Sequence, residues 1–158
     1  MFYEDGAGFI THHYVMSRFE TDKDVVVEQT KIVQARLEDR IERASFDRGF
    51  HSPANQLALA DIVRHVCLPK PGAKQAIEQQ ATASPEYLAG VQSHSGIESA
   101  IGCLQSGNGL KRCRDKSERG FERYVSLAVL GRNLHRLGRV LIRLAAPSSE
   151  ASHTQRAA

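Results

Sequence analysis

The pattern of hydrophobic and polar residues begins with two short runs of strand character. Residues 1–5 and 9–16 are separated by Gly6-Ala7-Gly8, a combination that predicts a β-hairpin. From Thr21 an acidic first turn is followed by apolar residues at roughly helical spacing as far as Leu37, which predicts a helix. His12 and His13 are adjacent, so a strand would point them to opposite faces and they cannot chelate one metal together.

The pattern next predicts a strand, a helix and a second strand. Residues 41–46 are the first strand, residues 52 to about 65 the helix, and residues 66–68 a short buried strand. Ser52-Pro53 is typical of a helix start, because serine accepts from free amides and proline has none to satisfy. This spacing predicts parallel pairing through a right-handed crossover, with Asp47 at the carboxyl edge of the sheet.

Residues 70–86 give a weaker signal, which indicates a mobile connection or a short helix. A helix is predicted from Ser84-Pro85-Glu86 as far as Leu104, with Gly107-Asn108-Gly109 ending it. Glu98 lies beside the apolar stripe of this helix, and its neighbours on the same face are His94, Ser95 and Gly102.

The last predicted helix spans residues 120–145 and has two rows at helical spacing. One row is leucine (Leu127, Leu130, Leu134, Leu137, Leu141, Leu144) and the other is arginine (Arg132, Arg136, Arg139, Arg143). Because the rows lie almost opposite each other, the leucines are expected to pack against the domain or a partner subunit, with the arginines facing outward. After Pro147 the small polar tail is expected to be disordered.

Charge is distributed unevenly along the 158 residues. Residues 1–110 contain 10 Lys/Arg and 14 Asp/Glu, whereas residues 111–143 contain 10 Lys/Arg and only 3 Asp/Glu, a net charge of +7. Such a basic segment is typical of a protein that binds a polyanion, although a solvated helix face has the same composition.

Composition narrows the class of protein. The hydrophobic content of 41% and charged content of 25% are those of a globular domain, and no apolar run approaches the ~20 residues that span a bilayer. Three scattered cysteines, none in a C-x-x-C pair, argue against a disulfide framework or a zinc site. A cytoplasmic protein without membrane contact is therefore expected.

Two acids are candidates for chemistry. Asp47 is expected at a strand end and Glu98 on a helix face among small residues, where both carboxylates would be accessible. Each also has an ordinary structural interpretation, Asp47 as a turn aspartate before Arg48-Gly49 and Glu98 as a surface glutamate.

Three segments together resemble a known family. "SFDRGFHSPANQLALA", "HSGIESAIGCLQ" and "GLKRCRDKSERGFERYVSLAVLGRNLHRLGRVL" look like the carboxyl-terminal part of insertion-sequence transposases of the ISNCY group, and "EDGAGFITHHYVM" and "CLPKPG" fit the same pattern. These are DDE transposases, so the resemblance implies an α/β fold with a ribonuclease H-like core. Residues 1–145 would be a partial catalytic domain and residues 146–158 a disordered tail.

The resemblance also implies roles for the candidate residues. Asp47 and Glu98 would be the second and third acids of the catalytic triad and would bind a pair of Mg²⁺ or Mn²⁺ ions. The partners would be insertion-sequence ends and target DNA, bound in a homo-oligomer or with an intact transposase. DNA phosphates would be held by the basic residues Lys111, Arg112, Arg119, Arg132, Arg136, Arg139 and Arg143.

One departure from the family changes the expectation. The first acid belongs to a strand that would precede the hairpin and separate it from the Asp47 strand, and Asp5 lies on the wrong element to replace it. The chain thus resembles an N-terminally truncated transposase fragment, expected to be inactive alone in strand cleavage and transfer. A non-catalytic DNA-binding or regulatory protein, and a poorly folding relic without function, are the alternatives.

Overall fold

The structure is a computed structural model that describes residues 1–38, 40–72, 84–93 and 95–146, with the side chains of all of these except Ser93 and Ser95. The described residues form a mixed α/β protein with small sheets and several helices, as the sequence predicts. They fall into two compact units that divide after Gly102. Residues 73–83 of the connection expected at 70–86, and the expected disordered tail from 147, lie outside the described residues.

The first unit begins with the predicted hairpin. Strand β1 (Phe2–Glu4) pairs antiparallel with β2 (Ile10–His13), with a bulge between Tyr3 and Glu4. The turn is held by Asp5, whose Oδ1 accepts from the backbone N–H groups of Ala7 and Phe9 at 3.0 and 2.8 Å. Asp5 is therefore a turn residue, which agrees with its exclusion from the candidate acids.

Helix α1 (Asp22–Arg36) follows, and its start carries a local signal. The Asp24 carboxylate accepts from the backbone N–H and the hydroxyl of Thr21 at 2.8 and 2.7 Å, which satisfies groups that a helix start leaves free. Near the other end, Gln34 is buried and bonds to the backbone of Ile41 and Ile62. The helix is thereby tied to the segments on either side of the next crossover.

The predicted parallel pair is present but shorter than expected. Strand β3 (Arg43–Ser45) pairs with β4 (His65–Cys67), and helix α2 (Pro53–Ala60) connects them. The helix was expected to continue to about His65 and instead ends at Ala60. Ile62 and Val63 both donate to the Leu59 carbonyl oxygen, which closes a turn and lets β4 begin at His65.

The core of the first unit lies beside this parallel pair. Val26, Phe46, Leu59 and Leu68 form its buried cluster, and Tyr3 and Phe50 pack against it. Leu59 is fully buried whereas Leu57, two residues earlier on the same helix, is 72% exposed. Helix α2 therefore contributes one face to the core, as its helical period requires.

The hairpin and the parallel pair are two separate two-stranded sheets. They meet through side chains, since the Tyr3 and Phe46 rings lie edge to face with centroids 6.5 Å apart. The Tyr3 hydroxyl bonds to the Thr30 hydroxyl of α1 at 2.9 Å, and burial raises the pKa of Tyr3 to about 12. The first unit is thus held together by a core that both sheets share.

Helical residues are described on both sides of position 94 within the range where one helix was expected, and position 94 itself lies outside the described residues. Helix α3 (Pro85–Ser93) packs against β3 and β4, and helix α4 runs over Ser95–Ser106. At the contact, a Cβ added to Gly90 would lie only 2.7 Å from the Cys67 Cβ, so α3 approaches β4 as closely as glycine allows. The predicted break after α4 is confirmed, with Gly109 at a φ of +80°.

The second unit is built around the long helix α5 (Glu118–Ala145), close to its predicted bounds. Of the two contacts expected for its leucine row, packing against the domain is not made, because all six leucines are exposed, and packing against a partner subunit stays a prediction. The buried residues of α5 are instead Gly120, Val125, Ala128 and Val129. The covered face is the one that also carries Arg132 and Arg136, which are half-buried rather than outward, whereas Arg139 and Arg143 are exposed.

In the described ranges, none of the helices combines the length and the apolar character needed to cross a bilayer.

Candidate functional site

Asp47 is fixed at the end of β3 by the two phenylalanines around it. Phe46 is buried, Phe50 packs on it with ring centroids 6.2 Å apart, and Asp47 between them is exposed. The Asp47 Oδ1 accepts from the Arg48 N–H at 2.6 Å and so caps the short 3-10 turn Arg48–Phe50. The carboxylate is therefore held at the carboxyl edge of the parallel pair, where its position was predicted.

The loop after Asp47 is tied down on its other side by Asn55. This buried side chain donates to the carbonyl oxygens of Phe50 and Lys23 at 3.0 and 2.9 Å. Ser52 Oγ accepts from the Asn55 N–H at 3.0 Å and Pro53 takes the first helical position, so the predicted helix start is confirmed. Strand β3 and helices α1 and α2 thus meet at one short loop.

Asp22 is a carboxylate near this loop that the sequence did not single out. Its Oδ2 lies 3.6 Å from the position that a Cβ would take at Gly49. In the sequence Asp22 appears only as part of an acidic helix start, which gives no sign of its spatial neighbour. Only the packing of α1 against the turn after β3 brings the two together.

Glu98 lies on α4 and is exposed, as predicted. The space beside Gly102 on the same face is open, since an added Cβ there would meet nothing within 4 Å. The side chains of His94 and Ser95, the other expected neighbours, are not among those described. The role of Glu98 as a metal ligand that shares ions with Asp47 stays a prediction.

A metal centre requires several donor side chains close to one another. Within the described ranges, no three His, Cys, Asp or Glu side chains are grouped so that they could hold an ion. Hard divalent cations take carboxylate oxygens, so Asp47 and Glu98 have suitable chemistry. Two acids alone do not supply the donor set of a two-metal centre.

The two histidines of β2 have structural roles. His12 is buried, with Nε2 2.8 Å from Gln29 Oε1 and Nδ1 3.0 Å from a guanidinium nitrogen of Arg36. Because Arg36 can only donate, Nδ1 accepts and the Nε2–H donates to Gln29. His13 is half-buried, and burial together with the nearby positive charges lowers its pKa.

Cys67 is buried in β4, and burial raises the pKa of its thiol. A thiol held in its protonated form is a poor nucleophile and a poor metal ligand. Cys67 is therefore a packing residue beneath α3.

The basic segment that precedes α5 is folded back onto the start of that helix. The Tyr124 hydroxyl lies 2.7 Å from the Gly109 carbonyl oxygen and 3.0 Å from that of Arg112. Arg123 forms an ion pair with Asp115 at 3.0 Å, and Ser117 Oγ accepts from the Gly120 N–H. These bonds fix a loop that would otherwise be free to move.

This loop presents a group of exposed cations. Between residues 111 and 119 the exposed basic side chains are Lys111, Arg112, Arg114, Lys116 and Arg119. The first two and Arg119 were predicted as phosphate contacts, and their exposure is compatible with that role. We call residues 111–119 the basic loop, a name that includes the first two residues of α5, Glu118 and Arg119.

Comparison with known proteins returned no match: no protein-family model fits the chain, and neither a curated protein nor a solved structure is significantly similar to it.

Proposed function

We propose that this chain is a DNA-binding protein of transposase type that contacts the phosphate backbone through the basic loop. The observation that carries the proposal is the exposure of five cations on a loop fixed by Tyr124 and Ser117. Because hydrogen bonds already fix the backbone of this loop, its Lys and Arg side chains can neutralise phosphates with less backbone entropy lost on binding. The resemblance of residues 109–141 to transposases selects DNA among polyanions.

The rest of α5 supports a secondary role for the arginine row. Arg139 and Arg143 are exposed and can reach a phosphate, whereas Arg132 and Arg136 are half-buried and interact with other residues of the protein. Phosphate contacts from the row are therefore expected mainly from Arg139 and Arg143.

The test is binding of the purified chain to a fluorescent DNA duplex, measured by anisotropy at several salt concentrations between about 50 and 200 mM. The triple variant Lys111→Gln/Arg112→Gln/Arg119→Gln is expected to bind more weakly. The slope of log affinity against log salt should fall by about 1 for each phosphate contact removed.

A matched control removes the same charge from the first unit. Lys23→Gln/Lys31→Gln/Arg64→Gln changes three exposed cations outside the basic loop and is expected to retain the affinity and salt slope of the parent. Equal losses in both triple variants would show non-specific attraction to net charge and would contradict the proposal.

A second candidate function is metal-dependent DNA strand cleavage and transfer by a ribonuclease H-like fold. It is favoured by the placement of exposed Asp47 directly after the first strand of a parallel β–α–β unit. Mg²⁺ would supply charge stabilisation at the scissile phosphate when bound.

One series of measurements distinguishes the two candidate functions. If DNA binding through the basic loop is the function, affinity should be unchanged by EDTA and by Asp47→Asn. A rise in melting temperature with Mn²⁺ that disappears in both Asp47→Asn and Glu98→Gln would favour the metal-dependent enzyme instead.

A further inference from the structure

The exposed leucine row of α5 is an apolar feature of the described residues that the proposed function leaves unexplained. We define the leucine seam as Leu127, Leu130, Leu134, Leu137, Leu141 and Leu144. Their exposed fractions lie between 44% and 78%, although the helix continues without interruption to Ala145. Contiguous exposed apolar side chains of this kind mark a surface that meets a partner.

The spacing of the leucines in the seam indicates that the partner surface is a helix. The intervals of 3, 4, 3, 4 and 3 residues place the leucines at alternating a and d positions of two and a half heptads. A strict a/d row is narrower than the apolar face of a helix that packs on a globular core. It fits another helix with the same period.

The residues that flank the seam favour a second copy of this chain. The e and g positions, which face each other across a coiled coil, hold Ser126, Gly131, Asn133, Gly138, Val140 and Ala145. None of these is charged, so two identical helices can approach without like charges meeting at the interface.

The arginine row of α5 also lies away from the leucine seam. Arg132 and Arg139 occupy f positions, and Arg136 and Arg143 occupy c positions, all directed away from the seam. A basic helix tolerates an identical partner only if its cations avoid the interface, and this arrangement meets that condition.

The intramolecular contacts of α5 leave the seam available. Val125, Ala128 and Val129, the buried apolar residues of the helix, belong to the b, c and f positions. We infer that α5 pairs through the leucine seam with α5 of a second copy, forming a homodimeric coiled coil. This inference does not depend on DNA binding, because the basic loop precedes the seam and the two surfaces have no residue in common.

The test is the mass of the full chain in solution, measured by sedimentation equilibrium up to about 100 µM because a short coiled coil dissociates on dilution. The parent is expected at twice its chain mass of 17.5 kDa. Leu134→Glu/Leu137→Glu places charges at adjacent a and d positions and is expected to halve the observed mass.

The control variant is Ile142→Glu/Leu57→Glu. It also replaces two exposed apolar residues with glutamate, at 71% and 72% exposure, but neither lies in the seam. It should remain dimeric, and circular dichroism should show that both double variants keep their helices. A monomeric parent at the highest concentration, or a dimer that survives Leu134→Glu/Leu137→Glu, would overturn the inference.

Discussion

Asp47 shows how single residues hold the candidate site in place. The phenylalanine on each side of it, Phe46 and Phe50, packs into the core, so the intervening carboxylate is forced to the surface at the strand end. The Asn55 side chain then fixes the loop by donating to the backbone carbonyl oxygens of Lys23 and Phe50. Apolar anchors and one buried amide thus position an acid that itself makes only a short local hydrogen bond.

Gln34 is a second buried amide with a comparable role, and it gives the first prediction. Its Nε2 donates to the Ile41 and Ile62 carbonyl oxygens at 3.2 and 3.3 Å, and its Oε1 accepts from the Ile41 N–H at 3.0 Å. Gln34→Ala would leave these backbone groups without their partner and is expected to lower the free energy of unfolding by about 1–3 kcal/mol, measured by urea denaturation.

Glu28→Ala on the same helix is the control for this change. Glu28 is exposed, and its substitution should alter the free energy of unfolding by no more than about 0.5 kcal/mol. Equal effects of the two substitutions would show that the Gln34 bonds contribute nothing to stability.

At the scale of elements, the contact between α3 and β4 depends on the absence of a side chain. An added Cβ at Gly90 would lie 2.7 Å from the Cys67 Cβ and 3.2 Å from its Sγ. Because the strand cannot move without disturbing its pairing with β3, the contact tolerates no larger residue. The sequence shows a glycine within a helical segment, which by itself indicates only a weaker helix.

Gly90→Ala is therefore expected to destabilise the protein despite the better helix propensity of alanine. Overpacking of this kind costs about 1–3 kcal/mol, which exceeds the gain of about 1 kcal/mol from replacing a helical glycine. The measurement is the shift in the urea midpoint. Gly102→Ala on α4, where an added Cβ meets nothing within 4 Å, should shift the midpoint in the opposite direction.

In helix α5, the local sequence signals do not indicate which face of the helix is buried. Its start is defined by Ser117 and its helical period by the leucine and arginine rows, and both are evident in the sequence. The buried face is nevertheless the face of Val125, Ala128 and Val129. The leucines lie outside this buried face and remain exposed, so they are available to the partner that we infer.

At the scale of the whole molecule, acidic residues outnumber basic ones in the first compact unit, and basic residues outnumber acidic ones in the second. The net charge of +3 is the sum of an acidic first part and a strongly basic segment between residues 111 and 143. The exposed cations of the basic loop belong to the second unit, and Asp47 and Glu98 belong to the first. The proposed DNA contact and the candidate acids are therefore carried by different units.

The pH dependence of stability is a property of the whole molecule in which His13 has a predictable part. Burial, the neighbouring His12, the amino terminus and Arg36 hold the pKa of His13 below its ordinary value. Between that ordinary value of about 6.5 and the lower folded value, the unfolded chain binds more protons than the folded protein. The free energy of unfolding should consequently fall as pH falls through this window, and the effect should level off at lower pH.

Urea denaturation at pH 7.5, 6.5 and 5.5 measures this slope. His13→Gln removes the titrating group, so the variant should lose less stability than the parent between the first and last pH. His135→Gln removes an exposed imidazole from α5 and should keep the parent slope. An unchanged slope in His13→Gln would contradict the assignment.

The features of the fold that the sequence predicted are those whose signals lie within a short segment of the chain. The hairpin turn at Asp5, the helix starts at Thr21 and Ser52, and the break at Gly109 are all encoded by residues that bond to their near neighbours. Parallel pairing of β3 with β4 followed from the length of the crossover. These features needed no knowledge of the rest of the molecule.

The candidate site was predicted only in part. The exposure of Asp47 and Glu98 and of the basic loop agrees with expectation, because charged residues remain in water unless they are paired. The nearness of Asp22 to the loop, and the buried amides of Gln34 and Asn55, had no counterpart in the local pattern. Each depends on a contact between segments that are far apart in the chain.

The sequence by itself determined where most of the helices start, how the hairpin and the crossover pair, and which residues carry charge. Those properties arise from hydrogen bonds and dihedral preferences between near neighbours, which the order of residues fixes. Only the tertiary structure decided that α2 ends at Ala60, that α3 requires Gly90, and that the leucines of α5 stay exposed. Burial is the physical reason, because whether a face is covered depends on which distant element reaches it.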